Sequence, residues 1–214
     1  MLKELNFPRI LQKDNIVGYG GNQEWFTKYL KRSAGCGCTS AVNIAAYYAS
    51  VNPEKRNLYK ENITYFNQEE YVDVMEEMFK YMKPGFMGYP YIKKLAEQFV
   101  KFCKERGVSM EASILETFNT CGDAFAFVKE NIDTGHPIAL LILLHRAKQL
   151  RKDIWHWLTI TGYFEGSDNN SSSQIIVSNY GKREEVCADI LFEVHQRNKI
   201  KMVSFRDLAN HKER

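Results

Sequence analysis

The spacing of apolar residues predicts four helices in the first two thirds of the chain. These helices run over about 39–50, 67–79, 92–103 and 123–135, and a shorter helix or turn is predicted at 25–31. Asn67 followed by Glu70 is typical of a helix start, and Gly107 is typical of a residue that ends one. The first of the four helices is apolar on several sides, which predicts that it is buried.

The pattern changes in the last third, where short apolar or alternating runs predict strands. Residues 138–144 are continuously apolar, as in a strand buried in the middle of a sheet. Residues 156–164 alternate, 174–178 form a third strand, and 199–205 form a weaker one. The polar residues 165–173 are predicted to be a hairpin loop. A helical N-terminal half followed by an antiparallel sheet indicates an α+β fold.

Length and composition are typical of a globular protein. Of the 214 residues, 44% are hydrophobic and 26% are charged. The chain has no long linker and no internal repeat, so we expect a single domain over residues 1–214. Five cysteines and an N-terminus without an apolar core predict a reducing, cytoplasmic location without disulfides. The longest apolar run is far shorter than the roughly 20 residues of a membrane span.

Charge and motifs exclude several classes of binding protein. The formal net charge of +3 has no block of like charges, so we expect no nucleic-acid partner. Cys36 and Cys38 form one close pair without a second pair, which is a poor match to a zinc site. No phosphate loop, dinucleotide or kinase motif occurs, and we therefore expect no cofactor and no metal. The sequence leaves the oligomeric state open.

The residues that could carry chemistry are a cysteine before a helix, a histidine at the start of a strand and an asparagine at the end of the next strand. They are Cys36, His156 and Asn179. A helix N-terminus stabilises a thiolate, and a nearby imidazolium lowers the pKa of the thiol further. In adjacent antiparallel strands the start of one lies beside the end of the other. His156 could therefore act as general acid and base, with its tautomer fixed by Asn179.

Three short motifs resemble those of papain-like cysteine peptidases. They are Gly35-Cys36-Gly37-Cys38-Thr39-Ser40-Ala41, His156-Trp157-Leu158-Thr159-Ile160-Thr161-Gly162-Tyr163 and Ile176-Val177-Ser178-Asn179-Tyr180-Gly181. The motifs are similar to those of the bacterial double-glycine peptidases that process bacteriocin leaders, and of their stand-alone relatives. The resemblance implies a papain-like α+β fold with a cleft between the helical half and the sheet. It also implies that Cys36 is the nucleophile, His156 the acid and base, and Asn179 the orienting amide.

The resemblance further implies an oxyanion hole made by the backbone N–H of Cys36 and an upstream side-chain amide. The usual glutamine position holds Leu30, and Gln23 could reach the site only if the segment between it and Cys36 loops out. Cys38 stands where these peptidases usually have proline, and it is the alternative nucleophile. We favour Cys36 because the continuation 39–41 aligns with it.

The expected function is hydrolysis of a peptide or other amide bond through an acyl-enzyme on Cys36. Two alternatives use the same cleft: a catalytically inactive module that binds a peptide, and an acyltransferase in which an amine replaces water. Cys121 also precedes a helix and is a remote alternative nucleophile, whereas Cys103 and Cys187 are expected to be packing residues.

Overall fold

The computed structural model describes residues 1–13, 15–85, 88–166 and 172–208. The helices are α1 (Tyr29–Ala34), α2 (Cys36–Val51), α3 (Gln68–Tyr81), α4 (Ile92–Lys104), α5 (Cys121–Asp133) and α6 (Ala188–Leu191). The strands are β1 (Leu2–Glu4), β2 (Arg9–Gln12), β3 (Asn15–Tyr19), β4 (Phe66–Asn67), β5 (Met110–Leu115), β6 (Ile138–Leu144), β7 (His156–Phe164), β8 (Gln174–Asn179), β9 (Lys182–Cys187) and β10 (Lys199–Asp207). Short 3-10 turns cover Gln23–Trp25, Pro53–Leu58 and Lys148–Asp153. None of these described helices combines the length and the apolar character that crossing a membrane requires.

The larger sheet is antiparallel and has the strand order β5-β10-β6-β7-β8-β9. β1 adds to it by pairing with the last three residues of β7. β6 is the continuously apolar strand predicted from the sequence, and it lies between β10 and β7 with its first five residues buried. A smaller sheet has the order β3-β2-β4. The predicted α+β class is therefore confirmed.

The helix that begins at Cys36 is buried along nearly its whole length, over residues 36–49. Its many alanines let it lie close to β7, and Ser40 Oγ donates a hydrogen bond to the backbone oxygen of Leu158 across this contact at 3.1 Å. A Cβ added at Gly37 would be only 3.4 Å from the Trp157 ring. The first turn of α2 and the first residues of β7 therefore lie side by side.

The helices predicted from the sequence are confirmed, with shifts at their ends. Asn67 caps α3 by accepting hydrogen bonds from the backbone N–H groups of Glu69 and Glu70. Gly107 follows α4 with a φ of 75°, a conformation that favours glycine. The buried helix α2 starts at Cys36 rather than at residue 39, so Cys36 belongs to its first turn.

The N-terminal half is not purely helical, which corrects the simple division into helices and then strands. Strands β1 to β5 and β9 were not predicted. β1 to β4 have two to five residues each, and β2, β3 and β9 lack a regular alternation of buried and exposed residues. The strand described as weak is β10, which pairs with β5 on one side and β6 on the other. The predicted loop 165–173 contains residues 167–171, which lie outside the described residues.

Candidate active site

Cys36 is the first residue of α2, and only 6% of it is exposed. Gly35 alone separates α2 from α1. A Cβ at Gly35 would lie 2.4 Å from the backbone oxygen of Lys31 and 2.5 Å from the ring of Phe26, so this junction requires glycine. The first backbone N–H groups of a helix have no partner inside it. The junction therefore places the Cys36 thiol among hydrogen-bond donors with a positive partial charge.

His156 and Asn179 meet at one end of two adjacent strands. His156 is the first residue of β7 and Asn179 is the last residue of β8, and the two strands are antiparallel. His156 Nε2 and Asn179 Oδ1 are hydrogen-bonded at 2.9 Å. Both residues are buried, with exposed fractions of 6% and 1%. The contact has the arrangement expected of an orienting amide on a catalytic imidazole.

Tyr180 covers the ring of His156. The two ring centroids are 4.5 Å apart and the ring planes differ by 7°. Tyr180 and Gly181 form the two-residue turn between β8 and β9, and both have positive φ, 48° and 71°. A positive φ is uncommon for tyrosine, so the hairpin turn gives this residue an unusual backbone conformation. No role in the site is predicted for Tyr180 from the sequence, although it directly follows Asn179 in the third motif.

Two carboxylates contact the NH₂ group of the Asn179 amide, and neither was predicted from the sequence. Asn179 Nδ2 donates to Asp153 Oδ1 at 3.0 Å and to Glu184 Oε2 at 3.2 Å. Asp153 ends the 3-10 turn before β7, and Glu184 lies on β9. No motif marks either residue, because their approach to Asn179 depends on the turn and on the β8–β9 register.

Gln23 lies in the same small cavity as Cys36, His156 and Tyr180. The cavity has a volume of about 10 Å³, which is close to the space of a single water molecule. Gln23 reaches it because the intervening chain turns away through the 3-10 turn Gln23–Trp25 and α1. Its Nε2 donates to the backbone oxygen of Arg32 at 2.5 Å, and its buried Oε1 has no hydrogen-bond partner among the described residues.

The other cysteines lie away from this cavity. Cys38 is 1% exposed, and its Sγ donates to the backbone oxygen of Met82 at 3.3 Å, on another face of α2. Burial raises the pKa of the Cys38 thiol well above its ordinary value. Cys121 begins α5, and its Sγ donates to the backbone oxygen of Ala188 at 3.5 Å. Cys36 is therefore the cysteine that shares a cavity with His156.

Burial favours the neutral forms of Cys36 and His156. It raises the pKa of the Cys36 thiol, and the backbone amides of Trp157 and Gly37 offset this only in part. It lowers the pKa of His156 to about 4, although the hydrogen bond to Asn179 and the charge of Glu184 act in the opposite direction. The closed site therefore favours a thiol beside a neutral imidazole rather than the thiolate and imidazolium expected from the helix N-terminus.

A buried polar network forms the floor of the cavity and was not predicted from the sequence. At its centre is Asn43 of α2, whose Oδ1 accepts hydrogen bonds from the backbone N–H of Gly21 and from the hydroxyl of Tyr71, both at 2.7 Å. Asn43 Nδ2 donates to Thr159 Oγ1 at 3.2 Å and to Ser178 Oγ at 3.4 Å. The network joins α2, α3, β7 and β8. Its signal in the sequence was an asparagine inside a helix predicted to be buried.

Replacement of Asn43 by alanine should destabilise the fold by about 3 kcal/mol, because two buried donors lose their acceptor and each costs about 1–3 kcal/mol. Urea unfolding followed by tryptophan fluorescence measures the loss. Tyr71→Phe is the matched control, since it removes one hydroxyl and leaves the Gly21 contact intact, and we expect a loss of about 1 kcal/mol. Equal losses for the two variants would contradict the central role of Asn43.

Comparison with known proteins identifies the family of the chain. No curated protein matches the chain. A family model, the Peptidase_C39 like family, matches residues 4–185, a range that contains Gln23, Cys36, His156 and Asn179. Among the described residues no group of three or more His, Cys, Asp or Glu side chains could hold a metal ion. The helices and antiparallel sheet form the papain-like fold that this family implies. The chain therefore belongs to the Peptidase_C39 like family.

Proposed function

We propose that the protein is a cysteine peptidase that hydrolyses a peptide or other amide bond through Cys36, His156 and Asn179. The observation that carries the proposal is that Cys36 lines the same cavity as His156, whose ring is hydrogen-bonded to Asn179. A nucleophile, a base and a group that orients the base are the parts that acyl transfer through a covalent intermediate requires. Membership of a peptidase-related family supports the same class of reaction.

In the proposed reaction the Cys36 thiol attacks the carbonyl carbon of the substrate. Because Nε2 of His156 is hydrogen-bonded to Asn179 Oδ1, Nδ1 is the ring nitrogen that remains to accept the thiol proton. The C=O electron pair moves to oxygen and then returns, which expels the amine as it takes the proton from the imidazolium. The product is a thioester on Cys36. Water, deprotonated by the same nitrogen, then releases the acid and restores the thiol.

The oxyanion of the tetrahedral intermediate needs donors that are already in place. The backbone N–H of Cys36 is one candidate, since the first N–H groups of α2 have no partner within the helix. Gln23 is the other, because it lines the cavity and only one of its two Nε2 hydrogens is used by Arg32. This role requires the chain between Gln23 and Cys36 to loop out. The 3-10 turn and α1 lie in that segment and allow Gln23 to reach the cavity.

The cavity is too small for a peptide group, so substrate binding must enlarge it. Tyr180, which lines the cavity and stacks on the His156 ring, is the side chain that we expect to move. Opening also brings water or substrate polar groups to His156, which reduces the desolvation that lowers the pKa of its ring. The base would therefore become stronger when substrate is bound.

The proposal is tested by incubating the protein with a pool of synthetic peptides and identifying new termini by mass spectrometry. We expect cleavage by the wild type, and an acid quench should trap an acyl adduct on Cys36 in the intact-mass spectrum. Added amines distinguish hydrolysis from acyl transfer, because a transferase would give amide products. Peptide binding by the wild type without cleavage or adduct would replace the proposal with the binding-module alternative.

A further inference from the structure

Asp153 is a buried carboxylate that reaches the proposed catalytic histidine only through Asn179. The residue is 3% exposed, and its Oδ1 accepts a hydrogen bond from Asn179 Nδ2 at 3.0 Å. In the part of the chain that the structure describes, this amide is the one hydrogen-bond donor to the Asp153 side chain. A buried carboxylate with a single donor is costly to the fold. Its place next to Asn179 points to a role in the site.

The carboxylates fix which way the Asn179 amide points. Asp153 and Glu184 only accept hydrogen bonds, so the amide must turn its NH₂ group toward them and its oxygen toward His156. The opposite orientation would place the amide oxygen against two carboxylates. Because an oxygen accepts, His156 Nε2 must carry a hydrogen. The neutral ring then has its lone pair on Nδ1, the nitrogen that the proposed reaction uses.

We propose that Asp153 is a positioning residue for this site. It holds the Asn179 amide in one orientation, and it thereby fixes the Nε2–H tautomer of His156. The catalytic part of this inference rests on the proposed peptidase function, whereas the tautomer part does not.

Glu184 contacts the same amide but is less suited to this role. Its side chain is 27% exposed, and its carboxylate is paired with Lys152 at 3.1 Å, so water and an ammonium group reduce its effect on Asn179. Asp153 is buried, and Lys152 Nζ bonds Glu184 rather than Asp153. Burial raises the pKa of the Asp153 carboxyl, which agrees with a site shielded from water.

The two neighbouring carboxylates also explain why an amide, rather than a third carboxylate, suits position 179. An aspartate there would face Asp153 and Glu184, and three carboxylates would then share one small volume. In the double variant Asp153→Asn/Asn179→Asp, the carboxylate and the amide exchange positions. One hydrogen-bond donor and one acceptor then again face each other. The exchanged carboxylate could accept from His156 Nε2 on one side and from the new amide on the other.

The first experiment reads the tautomer of His156 directly, from the ¹⁵N chemical shifts of its ring nitrogens in the full chain, assigned by comparison with His156→Gln. At neutral pH the wild type should have a hydrogen on Nε2 and none on Nδ1. Asp153→Ala should give a mixture of the two tautomers. Glu185→Gln, a neighbouring surface carboxylate paired with Arg183, should leave the spectrum unchanged. A single Nε2–H tautomer in Asp153→Ala would overturn the proposal.

The second experiment measures turnover of a peptide that the wild type cleaves. Asp153→Ala should lower kcat about 100-fold with little change in KM, because a misplaced catalytic group loses rate on that scale. Glu184→Gln should lower kcat much less. Asn179→Asp should be poorly active, and the double variant Asp153→Asn/Asn179→Asp should recover at least tenfold over it. The absence of that recovery would contradict the proposal even if Asp153→Ala does not fold.

The two experiments separate this inference from the proposed function. A wild type without any turnover, but with the expected tautomers in wild type and Asp153→Ala, would refute the peptidase and retain the positioning role. Turnover by the wild type, together with a His156 tautomer that is unchanged in Asp153→Ala, would retain the peptidase and refute the positioning role.

Discussion

Replacement of Cys36 by alanine is expected to abolish peptide hydrolysis, with a fall in kcat of about 10⁴-fold or more, because removal of a nucleophile leaves only binding and oxyanion effects. Cys36 is the cysteine in the cavity of His156, and no other thiol of the described chain lines it. Single-turnover cleavage followed by mass spectrometry measures the loss. The circular dichroism spectrum should remain that of the wild type, which excludes unfolding as the cause.

Cys38→Ala is the matched control for this prediction. The Cys38 thiol contacts the backbone oxygen of Met82 on another face of α2, so we expect turnover within about twofold of the wild type. A small loss of stability should accompany the removal of a buried sulfur. The reverse pattern, with Cys36→Ala active and Cys38→Ala inactive, would assign the nucleophile to Cys38.

The second large effect is a loss of stability on acidification through His156. Burial lowers the pKa of its ring in the folded protein to about 4, against 6.5 in an unfolded chain. The unfolded chain therefore binds the proton first, so the contribution of His156 is fully present above about pH 6.5 and is lost as the pH falls toward 4. The difference corresponds to about 3 kcal/mol.

This loss is measured as the difference between wild type and His156→Gln in urea unfolding at several pH values. Glutamine can still donate a hydrogen bond to Asn179 Oδ1, and it does not titrate. The comparison is needed because other groups also respond to acid. Burial lowers the pKa of His136 and His145, which adds to the loss of stability in acid. Burial raises the pKa of Asp153, which opposes that loss. Parallel pH profiles for the two proteins would show that His156 is not desolvated in the folded state.

Much of the candidate site could be predicted from the sequence, because its residues lie in local patterns that the fold brings together. A cysteine before a buried helix, a histidine opening one strand and an asparagine closing the next are local patterns, and antiparallel pairing brings the two strand ends together without further information. Gln23 could be named as a candidate only on the condition that the chain loops out, and the 3-10 turn and α1 meet that condition.

Other parts of the site could not be predicted, because they depend on distance in space rather than along the chain. Asp153 and Glu184 converge on Asn179 from a turn and from β9, and neither lies in a recognisable motif. The ionisation of Cys36 was expected from the helix N-terminus and from a nearby imidazolium. Burial outweighs that effect, and the degree of burial depends on Tyr180, Gln23 and the packing of α2 against β7.

The burial of α2 has a consequence for how the site opens. A helix buried along residues 36–49 is expected to exchange its amide hydrogens mainly through global unfolding. Fraying of α2, the helix that carries the proposed nucleophile, is therefore an unfavourable route to the thiol. Access to the thiol is expected to depend on Tyr180 in the β8–β9 turn, which lines the cavity and stacks on the His156 ring. We therefore expect the thiol to become accessible through movement of this side chain, without unfolding of α2.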